Sequence, residues 1–175
     1  MKTFYKTAMA LMAVMTLTLT SCGGDDDNAP VEGGNLPTGS YIKGKVDGAQ
    51  FENLQMMGVS SAIATRTGTG DQTLILVSGS DMSANTMVIT TFGITATGTY
   101  TVNAEDDGTV MAYVPGSGSV SFDTSNCSGA TGTLTVTALD ATKIEGTFQF
   151  VGKDDENCSS TKNITEGSFR GVFAN

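Results

Sequence analysis

Gly132-Thr133-Leu134-Thr135-Val136-Thr137-Ala138-Leu139 is followed, after Asp140-Ala141-Thr142, by Lys143-Ile144-Glu145-Gly146-Thr147-Phe148-Gln149-Phe150-Val151. In the first run Thr133, Thr135 and Thr137 alternate with Leu134, Val136 and Ala138. Successive side chains of an extended strand point to opposite faces, so this period of two gives one polar face and one apolar face. The second run places Phe148 and Phe150 on a shared side. Thr, Val, Ile and Phe suit a pleated, half-buried surface. The pair reads as a β-hairpin turning at Asp140 to Lys143.

The same pattern extends in both directions. Tyr41-Ile42-Lys43-Gly44-Lys45-Val46 sets Ile42 and Val46 against Lys43 and Lys45. Asp47-Gly48 then supplies a favoured two-residue hairpin turn, with Ala49 to Leu54 as the returning strand. Val59 to Thr65 ends at a turn cluster from Thr67 to Asp71. Gln72 to Ser78 contains Leu74-Ile75-Leu76-Val77, apolar on both faces, and reads as a central strand, as does Thr86 to Phe92. Gly98 to Val102, Thr109 to Val114, Ser117 to Phe122 and Ile164 to Phe173 complete the set, with Pro115-Gly116 between the second and third of these. About ten short strands, Gly-rich turns and no helix in the mature region predict an all-β fold. The expected architecture is an antiparallel β-sandwich, with a small closed, calycin-like β-barrel as the alternative. Phe148, Phe150, Phe169, Phe173, Leu74 and Leu76 are the expected core.

Upstream of residue 40 the composition changes. Lys2 and Lys6 precede an apolar run from Ala8 to Leu19, 12 residues long. A helix crossing a bilayer core needs roughly 20, so the run reads as the hydrophobic part of a signal peptide. Leu19-Thr20-Ser21-Cys22 resembles a lipobox, where a lipoprotein signal peptidase cuts before a lipid-modified cysteine. That resemblance implies a signal peptide over 1–21 and lipidation of Cys22, whose thiol would carry the thioether-linked lipid. Gly23-Gly24-Asp25-Asp26-Asp27-Asn28 resembles the acidic stretch after the lipidated cysteine of many Bacteroidetes lipoproteins, implicated in transfer to the outer face of the outer membrane. Residues 22–39 lack periodicity and read as a tether, and 40–175 as the domain.

Cys22 apart, Cys127 and Cys158 form an even pair, and export implies a disulfide between them. The spacing agrees. The hairpin turns near residue 141.5 and the two cysteines are centred on residue 142.5, so both fall at its open end.

Charge and absent residue types narrow the chemistry. Net charge is −9. Removing 1–21, which hold two lysines and no acid, leaves 7 basic against 18 acidic side chains, near −11. Such a surface repels phosphate backbones and anionic headgroups, so no nucleic-acid partner is expected and membrane attachment falls to the lipid on Cys22. There is no histidine, which removes Ser-His-Asp and Cys-His sites and the commonest general base. The remaining candidate acids are Glu105, Asp106, Asp107, Asp123, Asp154, Asp155 and Glu156, mostly in turn-like segments where carboxylates are ordinarily solvated. Glu105-Asp106-Asp107 and Asp154-Asp155-Glu156 offer oxygen ligands, yet neither matches a twelve-residue calcium loop. No catalytic residue, metal site or cofactor is expected. Asn126-Cys127-Ser128, Asn157-Cys158-Ser159 and Asn163-Ile164-Thr165 match the glycosylation pattern, read as coincidence in a bacterial chain. Tyr41, Tyr100 and Tyr113, with no Trp, give little basis for an aromatic glycan platform. Met56-Met57 is an adjacent apolar pair in which one member is expected to face solvent, either packed at an edge or marking a contact surface.

Lys143 to Phe150 and Ile164-Thr165-Glu166-Gly167-Ser168-Phe169 also resemble the C-terminal signature of a family of Bacteroidetes lipoproteins of unknown function. Gly98-Thr99-Tyr100 and Gly132 to Val136 fit the same pattern, and the resemblance spans Tyr41 to Phe173. It carries over no catalytic residue. The expected function is a non-catalytic interaction module, lipid-anchored at the outer membrane and facing outward, with a protein or glycan partner. A periplasm-facing placement is the alternative. Two rival functions are an accessory subunit of an envelope complex and a carrier of a small apolar ligand. The carrier needs a cavity of roughly 300 Å³ or more.

Overall fold

The computed structural model describes residues 39–174 apart from 106, 107, 117 and 119. The signal segment 1–21, the lipidation residue Cys22, tether residues 23–38 and the acids Asp106 and Asp107 lie outside the described residues.

The described residues form thirteen strands: β1 (Tyr41–Val46), β2 (Ala49–Glu52), β3 (Gln55–Met56), β4 (Val59–Ser60), β5 (Ile63–Thr67), β6 (Leu74–Ser80), β7 (Thr86–Phe92), β8 (Gly98–Asn103), β9 (Thr109–Val114), β10 (Phe122–Asp123), β11 (Thr131–Leu139), β12 (Lys143–Asp154) and β13 (Thr161–Val172). One turn of 3₁₀-helix, Gly70–Gln72, lies between β5 and β6. All pairings are antiparallel, as the alternating sequence predicts.

Eleven strands form one curled sheet, and β3–β4 stand apart as a small hairpin. The long strand β12 organises the sheet. Its first two-thirds pair with β11, which carries β8, while its last residues pair with β10 and lead on to β9, β7, β6 and β5. On its other side β13 leads to β1 and β2. The sheet therefore folds over like a half-barrel, bringing β5 and β6 against β13 and β1. A methyl group at Gly171 of β13 would lie 2.7 Å from Ala64 Cβ and 2.9 Å from Val77 Cγ2. One at Gly79 of β6 would lie 2.7 Å from Ile42 Cγ2. Glycine is required where the two limbs approach this closely. The curl does not close into a barrel: β2, β5 and β8 remain edges among the described residues.

The inward side is filled. Phe169, Ile42, Met87, Ile89, Met111 and Leu134 are fully buried. Several inward phenylalanines lie over a glycine of the next strand: Phe169 pairs with Gly146, Phe148 with Gly167 and Phe150 with Gly132. The missing Cβ makes room for the ring, and the ring covers backbone that glycine would expose. Phe148 packs against both Phe150 and Phe169, at 6.4 and 6.2 Å between ring centres. Phe173 is buried as expected.

Three sequence expectations are corrected. The single strand expected over Val59 to Thr65 breaks at Ser61-Ala62 into β4 and β5. Leu74 and Leu76 point outward, Leu74 being 41% exposed, and Ile75 and Val77 supply the core instead. The run is apolar at both parities, so only its place between β5 and β7 and the face turned to Ile42 select the parity. Of the strand expected at Ser117 to Phe122, only Phe122 is in a strand among the described residues, in β10 (Phe122–Asp123). Gly118 donates to the Pro115 carbonyl in a turn (3.1 Å), which takes its backbone out of any ladder.

Candidate functional site

The disulfide is present: Cys127 and Cys158 are bonded, with Cα atoms 5.7 Å apart. It joins the loop entering β11 to the loop leaving β12, at the open end of their hairpin. Each loop is organised by an aspartate four residues before its cysteine. Asp123 Oδ1 accepts from the Ser125 N–H (2.8 Å), the Asn126 N–H (3.2 Å) and the Ser125 hydroxyl (2.9 Å). Asp154 Oδ1 accepts from the N–H groups of Asn157 (2.8 Å) and Cys158 (3.1 Å), while its Oδ2 takes the Ser160 N–H and hydroxyl. Both aspartates are about 1–2% exposed. The Ser160 and Asn157 N–H groups hold the Asp154 carboxyl well below the usual carboxylate range. Lys153 Nζ donates to the Ser128 carbonyl (2.7 Å), tying the first loop to β12.

The sequence carried a signal for this that alternation does not reveal. Asp123-Thr124-Ser125-Asn126-Cys127-Ser128 and Asp154-Asp155-Glu156-Asn157-Cys158-Ser159 share one pattern, Asp-x-x-Asn-Cys-Ser. It marks two similar capped loops. Two of the glycosylation-like triplets are thereby explained, because their asparagines are part of the loop hydrogen bonding.

The candidate acids do not converge. Asp123 and Asp154 are committed to their own loops. Asp155 Oδ1 accepts the Ser121 N–H at 2.9 Å, and Glu105 sits in the exposed turn after β8. Glu156 is exposed. Among the described residues no three metal-ligating side chains gather. Tyr113 is buried edge-to-face on Phe51, the half-buried Tyr100 donates its hydroxyl to the Ala96 carbonyl, and Tyr41 is half-buried beneath Lys43. No helix of the described residues is long and apolar enough to cross a membrane.

The outward side of β8, β11, β12 and β13 is different. Registered pairs form rows across it. Thr99, Thr135, Thr147 and Ser168 make one row, Thr101, Thr133 and Gln149 the next, and Asn103, Thr131, Val151 and Asn163 the third. Strand spacing sets neighbours about 4.8 Å apart along a row, and alternation sets rows about 7 Å apart. Thr99 and Thr135 hydroxyls are 3.2 Å apart and share a hydrogen bond. Thr101, Thr131, Thr133, Gln149, Asn163 and Thr165, together with the apolar Val151, Phe150 and Ile164, border a shallow depression of about 250 Å³. The residues of these rows are uncharged, although ion pairs stand at their margin: Glu145 with Lys143 (3.0 Å) and Arg170 (2.9 Å), and Lys45 with Glu166 of β13 (2.8 Å). Each threonine hydroxyl is both donor and acceptor. Such a lattice fits a neutral ligand rich in hydroxyl or amide groups, and it holds no activated nucleophile or base.

A family model described as a domain of unknown function, DUF6252, matches residues 40–173. No curated protein and no solved structure matches the chain.

Proposed function

The chain belongs to the DUF6252 family of unknown function, and from that premise we propose that it is an exported, non-catalytic binding module, lipid-anchored through Cys22 and facing outward from the outer membrane. The single observation that carries the binding reading is the uncharged Thr, Asn and Gln lattice across β8, β11, β12 and β13. It is a stiff field of hydrogen-bonding groups, built on sheet rather than on loops. The partner is a neutral glycan or protein surface. A net charge near −11 on the mature chain supports the exclusion of nucleic acid. Non-catalysis is supported by the missing histidine and by the commitment of Asp123 and Asp154 to loop capping. The filled interior counts against a carrier of apolar ligands.

The anchor and its orientation are tested by protease shaving of intact cells carrying a C-terminal epitope, with a periplasmic protein as control. The expected result is loss of the tag while the control survives. A tag protected until the outer membrane is opened overturns the outward placement and brings forward an accessory role in a periplasmic complex.

A further inference from the structure

The short β3–β4 hairpin serves no purpose in the fold that accounts for its side chains. Its turn is Met57-Gly58, with φ of 50° and 78°. Both values lie in the left-handed region, where such turns favour Asn-Gly or Gly-Gly and a long side chain is disfavoured. Met57 is nonetheless there and is fully exposed, at 101%. Met56 and Val59 beside it are also mainly exposed, at 58% and 71%. No charged side chain lies between Asn53 and Thr65. The fold would be served by a polar turn.

The base of this hairpin is clamped to the point where the chain enters the domain. Asn53 is buried. It accepts the Ile42 N–H (2.9 Å) and donates to the Ser60 hydroxyl (2.7 Å). Ser60 in turn donates to the Ser40 carbonyl at 2.7 Å. Ser61 N–H donates to the Leu54 carbonyl, and Leu54 N–H to that of Ser80, both at 2.8 Å. The apolar tip is thus held beside residue 40, the end of the domain that a lipid on Cys22 would hold to the membrane. Only 17 residues separate Cys22 from Ser40. A flexible chain of 17 residues has a root-mean-square span of roughly 20–25 Å, less than the width of about 35 Å expected of a compact domain of this size. An anchor at Cys22 would therefore favour orientations with the entry side toward the bilayer.

We propose that Met56, Met57 and Val59 dip into the acyl–headgroup boundary of the membrane that carries the anchor, as a second contact that fixes the domain's orientation. The inference rests on the lipid-anchored reading. Tethering supplies a high effective concentration, so a few apolar side chains suffice where free binding would be negligible. The tip carries no charge, so nothing ionic is desolvated on entry and an acidic domain meets anionic lipid with a neutral point. With the hairpin as a foot, the threonine lattice is presented at one fixed attitude.

The test uses the full lipidated chain reconstituted in phosphatidylethanolamine–phosphatidylglycerol vesicles. A Met57→Cys variant carries an environment-sensitive fluorophore, and Ala49→Cys, an exposed site beside the Asp47-Gly48 turn at the far end of β1 from Ser40, is the control. The expected result is blue-shifted emission at position 57 and quenching by acyl-chain nitroxide lipids several-fold stronger than at position 49. Equal, weak quenching at both positions in a chain that floats with the vesicles overturns the hairpin contact and leaves the anchor standing. Emission at 57 that shifts only as protein density rises, without nitroxide quenching, assigns the tip to a second copy and overturns the proposal. A chain that does not float and carries an unmodified Cys22 overturns the anchor and the hairpin contact together.

Discussion

Phe169→Ala lowers the unfolding free energy by about 3–5 kcal/mol. Phe169 is fully buried at the centre of β13. Its ring covers Gly146 across the strand pair and packs on Phe148. Removing it loses the transfer free energy of the ring and leaves a void. Neighbouring backbone cannot collapse into that void, because strands β12 and β13 are fixed by their ladder. Gly146 would at the same time lose its cover. A domain of this size is stable by about 5–15 kcal/mol in all, so the variant sits near the limit of folding. Urea unfolding followed by tyrosine fluorescence reads this as a lower midpoint with an unchanged slope. Val172→Ala on the opposite face of the same strand stays within about 0.5 kcal/mol. Equal, small losses at both positions would mean that the inward face of β13 is not the core.

Removing the Cys127–Cys158 bridge by replacing both residues with Ala costs roughly 3–4 kcal/mol. The two cysteines are 31 residues apart. The bridge therefore denies the unfolded chain the freedom of a loop spanning the whole β11–β12 hairpin. The native loops keep their own aspartate caps, so the folded state changes little and the loss arises in the denatured ensemble. The denatured chain also becomes more expanded, so the urea slope rises, unlike in Phe169→Ala. That difference separates the two mechanisms in one set of unfolding curves. A loss under about 1 kcal/mol would show that the caps alone hold the two loops together and that loop closure contributes little to stability.

These two features were legible to different degrees. The β11–β12 hairpin follows from strict alternation, and the bridge from its midpoint lying at the turn. Alternation also placed Phe148, Phe150 and Phe169 inward, and Asp47-Gly48 marked its hairpin. Leu74 and Leu76 defeated the same reasoning because a Leu-Ile-Leu-Val run carries no parity. The β3–β4 hairpin escaped it because Gln55-Met56-Met57-Gly58-Val59 neither alternates nor has a polar turn. Curling of the sheet was not readable, since it depends on β12 serving β11 along one stretch and β10 along another. The roles of Asp123 and Asp154 needed the repeated Asp-x-x-Asn-Cys-Ser pattern and the fold to show which N–H groups each reaches. The threonine lattice was half visible: the outward Thr on β11 was plain, but its alignment with β8, β12 and β13 is a matter of register between strands distant in sequence.

The most direct measurement of the binding claim is site-specific photocrosslinking in living cells. A benzophenone amino acid at Thr133, in the middle row of the lattice, is compared with one at Leu74 on the outer face of the opposite limb. Benzophenone inserts into C–H bonds of glycan and protein alike, so the probe does not presuppose the partner. A binding lattice predicts a discrete adduct from position 133, lost when Thr101 and Gln149 are both replaced by lysine, and none from position 74. Adducts of equal yield from both positions, or from 74 alone, would contradict it.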